Sequence, residues 1–182
     1  RVLFRSLRGP QGPAGPTGTC QCENCDCTTQ IQNVLEQIAT AAAASGNAVK
    51  IQINTVNGGT TTGSLSNPSQ VGNGIVTLDN GDIVSLCSIA WIRVTGNDTF
   101  QSLGITPLPL PEPAQTSCEE VCEKAIRDSL IIGNKYNFLA GGTATGNRFL
   151  NVKAVGILFV GVSTSTSDTA ISTCQLEVAK PQ

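Results

Sequence analysis

The chain has 182 residues, of which 13% are charged and 40% hydrophobic, with a net charge of −2 and no histidine. This length suffices for one or two small domains with a hydrophobic core. Without histidine, no Cys–His or Ser–His catalytic set can be assembled, so we expect neither an enzyme nor a bound cofactor. The acidic balance and the few aromatic residues also disfavour nucleic acid as a partner. No apolar run is long enough to predict a membrane span.

Collagen-like triplets occupy residues 9–18 and follow a basic, apolar arm at residues 1–8. They are Gly-Pro-X triplets with the residues Gly9, Pro10, Gly12, Pro13, Gly15, Pro16 and Gly18. Only glycine fits at the crowded axis where three polyproline-II chains wind together. The triplets are too few to hold such a helix alone, so further contacts between chains are required. The segment predicts assembly with other copies, and the arm is suited to pairing with a neighbour's sheet edge.

A cysteine-rich segment at residues 19–27 follows the triplets and contains Cys20, Cys22, Cys25 and Cys27. Eight cysteines in a chain of this size are typical of disulfides in an oxidising or extracellular setting. We predict that the segment cross-links chains, because strands that are fixed at one point lose less entropy on winding. The alternative is a metal-binding protein that holds one ion with these four thiolates.

A first unit is predicted over residues 28–104. Apolar residues at helical spacing indicate a helix over about 28–44, which ends near Gly46. Segments with the character of strands follow at 49–56, 60–65, 75–78 and 83–94, the last of them interrupted. Asn-Gly and Asn-Pro dipeptides mark the turns between them.

A second unit is predicted over residues 117–182, behind a proline-rich linker at residues 105–116. Alternate prolines favour extended polyproline II, so the linker is interpreted as a semi-rigid spacer. The unit begins with a helix over about 117–131. Segments with the character of strands follow at 136–140, 149–152, 155–162 and 170–178.

The two units share features in the same order. A glycine–threonine run at 58–63 recurs at 141–146, and Cys87 in the first unit corresponds to Cys174 in the second. The recurrence predicts a tandem duplication. We expect a mainly β fold with short helices, in which a short N-terminal collagen-like segment precedes two tandem small α+β domains. Each domain is expected to pack one helix against its own antiparallel sheet.

The remaining cysteines divide into two groups. Cys87 and Cys174 lie in apolar strands, where a lone cysteine is often a small buried hydrophobe. Because each unit also has a cysteine at its helix start, both are candidates for a disulfide within their own domain. Cys118 and Cys122 join Cys20, Cys22, Cys25 and Cys27 as candidates for cross-linking.

An apolar run at residues 155–162 lacks the alternation of a half-buried strand, so both of its faces need cover. A unit of this size has little core to spare. We predict that the run lies in a subunit interface or between the two halves, with Val155, Ile157, Phe159 and Val160 in contact.

The triplets, followed by a Thr/Asn/Gly-rich β-domain, resemble the collagen-like spore-surface proteins of endospore-forming bacteria. The cysteine-rich segment before the β-domain is also similar to subunits of covalently linked endospore appendages. The resemblance implies a structural protein of the exosporium or of an appendage, extracellular and disulfide-locked. Its partners would be copies of itself, as a homotrimer or filament, and other spore-surface proteins. It further implies an O-linked sugar on Thr17. An adhesive tip or phage-fibre module is the remaining alternative.

Overall fold

The computed structural model describes residues 25–182, and of Cys25 only the backbone. The predictions for the arm, the triplets, Thr17, Cys20 and Cys22 lie outside the described residues. Within them, helix α1 (Cys25–Ser45) begins the first half and helix α2 (Cys118–Ser129) begins the second. No helix of this part is both long and apolar enough to cross a membrane.

Six strands follow α1 and five follow α2 within residues 25–182, so the prediction of a mainly β fold with short helices is confirmed. The strands are β1 (Val49–Thr55), β2 (Thr60–Leu65), β3 (Val71–Gly72), β4 (Ile75–Thr77), β5 (Ile83–Ser85), β6 (Ile89–Val94), β7 (Lys135–Ala140), β8 (Thr143–Ala154), β9 (Ile157–Gly161), β10 (Thr169–Ser172) and β11 (Leu176–Pro181). The predicted strands 83–94 and 170–178 are each broken by a 3₁₀ turn, Leu86–Ser88 and Thr173–Gln175. These turns carry Cys87 and Cys174, so the two cysteines occupy equivalent places in the two halves.

Strands of both halves join one sheet. Its order is β11-β7-β8-β9-β10-β6-β1-β2, and a second sheet has the order β3-β4-β5. The halves meet where β6 pairs with β10, with Trp91 opposite Ile171 and Arg93 opposite Thr169. The expectation of a separate sheet in each half is therefore corrected. The physical reason is that unpaired edges of β6 and β10 would leave rows of backbone donors and acceptors open, and pairing satisfies both.

The pairing pattern of the first half recurs in the second. In the first half, β1 pairs with β2 and β6, and β4 pairs with β3 and β5. In the second, β7 pairs with β8 and β11, and β9 pairs with β8 and β10. The long β8 thus takes the places of both β2 and β3. In the first half these two are separated by a 3₁₀ turn that begins with Pro68, whose nitrogen has no hydrogen to donate to a sheet.

Helix α1 packs its apolar face into the larger of two hydrophobic cores. Burying a large aliphatic side chain contributes about 1.5–3 kcal/mol, so this face fixes the helix to the protein. Its buried members are Ile31, Val34, Leu35, Ile38, Ala39 and Ala42. The same core contains Phe159 of β9, whose ring lies 4.7 Å from that of Phe100 between centroids.

The residues predicted for an assembly interface are buried inside the chain. They are Val155, Ile157, Phe159 and Val160, each at most 6% exposed. Ile157 and Phe159 belong to the core of α1, whereas Val160 lies in the second core with Tyr136 and Phe138 of β7. Both faces of this run do need cover, but the same chain provides it from both halves. Of the two predicted locations, the run therefore lies between the two halves, and its side chains are buried within one chain.

The linker at residues 105–116 forms no helix or strand, yet it is attached to α1 at two points. The Gln30 side chain donates to the Leu108 carbonyl at 2.7 Å and accepts from the Leu108 N–H at 3.0 Å. Gln37, two turns later, makes the same pair of bonds with Thr106, at 2.7 and 3.0 Å. Helix α1 thus holds the backbone of two alternate linker residues. The linker is packed along the helix, whereas the sequence predicts a semi-rigid spacer between two domains.

Candidate functional site

Helix α2 begins at a capping box that fixes the position of its cysteines. The Ser117 hydroxyl accepts from the Glu120 N–H at 3.2 Å, and the Glu120 carboxylate accepts from the Ser117 N–H at 3.0 Å. Hydrogen bonds from the backbone N–H groups of Ser117 and Thr116 lower the pKa of Glu120. With the helix start fixed, Cys118 and Cys122 lie one turn apart on the same face.

Cys118 and Cys122 are both free and exposed. On a helix, residues four apart have Cβ atoms about 5–6 Å apart. A disulfide needs a Cβ separation of about 3.5–4.5 Å. The pair therefore cannot close on itself without unwinding the helix, and both thiols remain available to another sulfur. That they cross-link chains stays a prediction, and their exposure on α2 is compatible with it.

A disulfide joins Cys27, in the first turn of α1, to Cys174, in the 3₁₀ turn before β11, across 147 residues. Cys174 is thus tied to the helix of the other half and not to one in its own domain. Cys27, for its part, is held inside the chain and does not reach another. Both predictions are corrected. Cys87 is also disulfide-bonded.

The reason for this pairing is the close approach of α1 to the turn before β9. Gly156 has a φ of +81°, and a Cβ placed on it would lie 3.1 Å from the backbone of Asp26 and Cys27. Only glycine suits both this backbone conformation and this contact. The turn brings the first turn of α1 beside the second half, because the Gly156 carbonyl also accepts from the Thr173 N–H at 3.2 Å.

A buried carboxylate fastens α2 at the same place. Glu123 is 6% exposed, and its Oε1 accepts from the Thr173 hydroxyl at 2.7 Å and from the Gly156 N–H at 3.1 Å. It also accepts from Arg127 Nε at 2.9 Å. A buried charge is tolerated only when it is paired and fully hydrogen-bonded, and these three donors meet that requirement.

Arg127 links this carboxylate to the linker. Its guanidinium donates two parallel bonds to Glu112, at 2.8 and 2.7 Å. These bonds raise the pKa of Arg127 and lower that of Glu112. The helix end is capped by Lys153 of β8, which donates to the carbonyls of Arg127 and Leu130 at 3.2 and 2.8 Å. Charges and hydrogen bonds therefore attach α2 to the protein at both ends.

Two grooves meet at the Cys27–Cys174 disulfide. The larger encloses about 310 Å³ between the α2 residues Cys118, Cys122 and Ile126 and the opposite wall of Thr173, Cys174 and Leu176. The smaller encloses about 190 Å³ and is lined by Cys27 and Cys174 together with Asp26, Pro113 and Glu119, among others. The arrangement places two free thiols and one disulfide around a shared space, which is chemistry for sulfur exchange or sulfur cross-linking.

The alternative of a four-thiolate metal site does not fit this state of the chain. The sulfur of Cys27 is bonded to Cys174, so it is not a thiolate ligand. Cys20, Cys22 and the side chain of Cys25 lie outside the described residues. Within the part of the chain that the structure does describe, no three potential ligands cluster in a geometry for a metal ion.

The sequence reasoning missed the Glu112–Arg127–Glu123 network. Its only signal is a glutamate four residues before an arginine, and that spacing is usual for solvated helix faces. The glutamine clamps on the linker were missed as well. Their signal is a pair of glutamines, Gln30 and Gln37, seven residues apart on an otherwise apolar helix face.

No protein-family model, curated protein or solved structure matches the chain.

Proposed function

We propose that the chain is a structural subunit that assembles with copies of itself into a disulfide-stabilised extracellular fibre or spore-surface layer. The observation that carries the proposal is the state of the cysteines. Cys27, Cys87 and Cys174 are disulfide-bonded, while Cys118 and Cys122 face solvent as free thiols. In an oxidising compartment, exposed thiols that cannot pair with each other are available for bonds between chains.

The chain has two candidate sites for disulfide cross-linking, and they lie on different parts of the sequence. One is the thiol pair on α2, and the other is the cysteine-rich segment beside the collagen-like triplets. A contact between two different surfaces is heterologous, and it continues into a filament when the rotation between copies does not close a ring. The triplets supply a second mode of association, since their glycine spacing is that of a triple helix. Together these features support a multivalent, covalently fixed assembly.

The fold also supports the proposal of two tandem α+β units. Each half begins with a helix, continues with the same succession of strand pairings, and carries a cysteine in the 3₁₀ turn before its last strand. The backbone at these turns agrees closely, with φ and ψ of −69° and 130° at Ser85 and −66° and 121° at Ser172. Backbone hydrogen bonds between β6 and β10 join the two units into one sheet, which suits a building block.

The test compares the full-length chain with the double variant Cys118→Ser/Cys122→Ser. Non-reducing denaturing gels of the wild type should show a ladder that a reducing agent collapses to monomer, and negative-stain images should show filaments. In the double variant the ladder should stop at small oligomers, because only one of the two cross-linking surfaces remains.

The matched control is Val121→Ser, which changes an exposed side chain between the two cysteines and leaves both thiols in place. It should give the wild-type ladder. A wild-type chain that runs only as monomer without reductant, and that shows no filaments, would contradict the proposal. An unshortened ladder in the double variant would show that the cysteines of α2 take no part in cross-linking, and that the cysteine-rich segment alone provides it.

A further inference from the structure

A thiol pair and a disulfide face each other across the larger groove. Cys118 and Cys122 lie on its α2 wall, and Cys174 lies on the wall formed by the 3₁₀ turn. A thiolate that reaches a disulfide sulfur exchanges with it, and this reaction requires no external oxidant. We infer that Cys122 exchanges with the Cys27–Cys174 disulfide within a single chain.

Helix geometry selects Cys122 over Cys118 as the attacking residue. Glu123 marks the side of α2 that faces Cys174, because its carboxylate accepts from the neighbouring Thr173 hydroxyl at 2.7 Å. At about 100° per residue, Cys122 lies about 100° around the helix from Glu123, and Cys118 lies about 140° from it. Cys122 is therefore turned further toward the disulfide, and Cys118 further toward solvent.

The position of each disulfide sulfur selects Cys174 as the atom that is attacked. Cys174 is partly exposed and lines the groove that contains both thiols. Cys27 is 3% exposed and lines the smaller groove but not the larger one. Attack from α2 therefore falls on the Sγ of Cys174 and expels the Sγ of Cys27.

The sulfur that leaves already accepts one backbone hydrogen bond. Cys27 Sγ accepts from the Cys174 N–H at 3.2 Å. The residue also lies in the first turn of α1, where the helix dipole stabilises negative charge. A thiolate on Cys27 is thus stabilised as the bond breaks, and a better leaving group speeds exchange.

The reaction balances without any co-reactant. The Cys122 thiol gives its proton to solvent, its sulfur bonds to Cys174, and the Cys27–Cys174 bond breaks with its electron pair on Cys27. Cys27 then takes up a proton. One disulfide and one thiol are present before and after the step.

The exchange moves the disulfide from α1 to α2 and moves the free thiol from α2 to the cysteine-rich segment. It releases the covalent tie on the first turn of α1 and creates one on α2. Under the proposed fibre function, it would determine which end of a subunit is ready to cross-link. The exchange itself does not depend on that function, because it takes place within one chain.

The test measures disulfide partners on the monomeric fraction of the full-length chain. The protein is incubated without reductant in mildly alkaline buffer, quenched with N-ethylmaleimide at intervals, and digested without reduction by a glutamate-specific protease. This protease separates the two cysteines of α2, because Glu119 and Glu120 lie between them. Mass spectrometry should show a peptide with a Cys122–Cys174 bond, in step with alkylation of Cys27.

Two single variants distinguish the roles of the thiols. Cys118→Ser should behave as the wild type. In Cys122→Ser, alkylation of Cys27 should fall by at least about tenfold, because the intramolecular thiolate is gone. Cys27–Cys174 as the only species in the wild type after prolonged incubation would overturn the inference. Unchanged alkylation of Cys27 in Cys122→Ser would overturn it as well.

A trapping variant checks the geometry independently of rates. In Cys27→Ser the thiol of Cys174 has no partner, so mild oxidation with diamide should give the Cys122–Cys174 bond, provided that circular dichroism matches the wild type. A Cys118–Cys174 bond in its place would contradict the choice of Cys122. A chain that fails to polymerise but shows this exchange would refute the fibre proposal alone.

Discussion

The two helices begin equivalent halves of the protein, but different forces attach them. Helix α1 buries an apolar stripe of six residues in the larger core. Helix α2 buries only Glu123 and Arg127, and its apolar Val121 is 48% exposed. Apolar burial depends little on pH, whereas a carboxylate–guanidinium attachment requires ionised carboxylates and repays its desolvation only with good geometry.

Helix α1 should therefore stay attached over a wide range of pH, whereas the attachment of α2 depends on ionised side chains. Helix α1 is part of the core and carries the linker through its glutamine clamps. Helix α2 is attached mainly through the buried carboxylate of Glu123. The same helix carries the two free thiols. An element with few buried apolar contacts opens locally at lower free energy than the core does. The two free cysteines are thus on the helix with fewer buried apolar contacts.

The largest effect is expected from the apolar attachment of α1. Leu35→Ala removes a fully buried side chain and should lower the free energy of unfolding by about 4 kcal/mol, measured by denaturant titration. The matched change on the other helix, Val121→Ala, should alter it by less than about 0.5 kcal/mol, because that side chain is exposed. Similar losses from both variants would show that α2 also depends on apolar burial.

The next effect concerns the buried carboxylate of α2. Glu123→Gln keeps the size of the side chain but removes the buried one of the two carboxylate charges that pair with Arg127, and it should cost about 3 kcal/mol. Hydrogen exchange should speed up at the amides of α2 more than at those of α1. The exposed Glu119→Gln serves as the control and should leave both helices unchanged. Equal acceleration in α1 would mean that the two helices open as one unit.

The clamp between α1 and the linker should be weaker than either attachment. Gln30→Ala leaves the Leu108 N–H and carbonyl without their partner and removes a bond to the Val155 carbonyl of 2.8 Å. The expected cost is about 1.5 kcal/mol, with faster proteolysis in residues 105–116. Gln32→Ala, which loses only a bond to Glu36 on the same helix, should not affect cleavage. Unchanged cleavage in Gln30→Ala would show that other contacts hold the linker.

The smallest effect should come from the outer carboxylate, Glu112. Its side chain is 51% exposed, so Glu112→Gln should cost less than about 1 kcal/mol at neutral pH. Arg127 lowers the pKa of Glu112, so its contribution is fully present above the ordinary value of 4.5 and is lost as the pH falls through the lowered pKa. The wild type and the variant should therefore converge in stability in acid. A difference that persists when Glu112 is protonated would mean that packing, not charge, attaches the linker to α2.

The local elements of the fold could be predicted from the sequence. The apolar stripe of α1 predicted a helix over 28–44, and the helix extends from Cys25 to Ser45. The strand at 60–65 was placed to the residue, and the predicted interruption of 83–94 is the 3₁₀ turn Leu86–Ser88. Helical periodicity, turn dipeptides and helix ends are properties of a few neighbouring residues, so they can be recognised without knowledge of the fold.

The contacts between distant residues could not be predicted in this way, because they depend on the packing of the whole fold. The pairing of β6 with β10 merged the halves into one sheet, and the contact at Gly156 selected Cys174 as the partner of Cys27 across 147 residues. Cysteine spacing alone does not fix connectivity, because many pairings are compatible with one sequence. Burial of Glu123 and Arg127 was likewise decided by the fold, since the same spacing is found on solvated helices. Contacts between distant residues depend on how whole elements pack, and no local pattern carries that information.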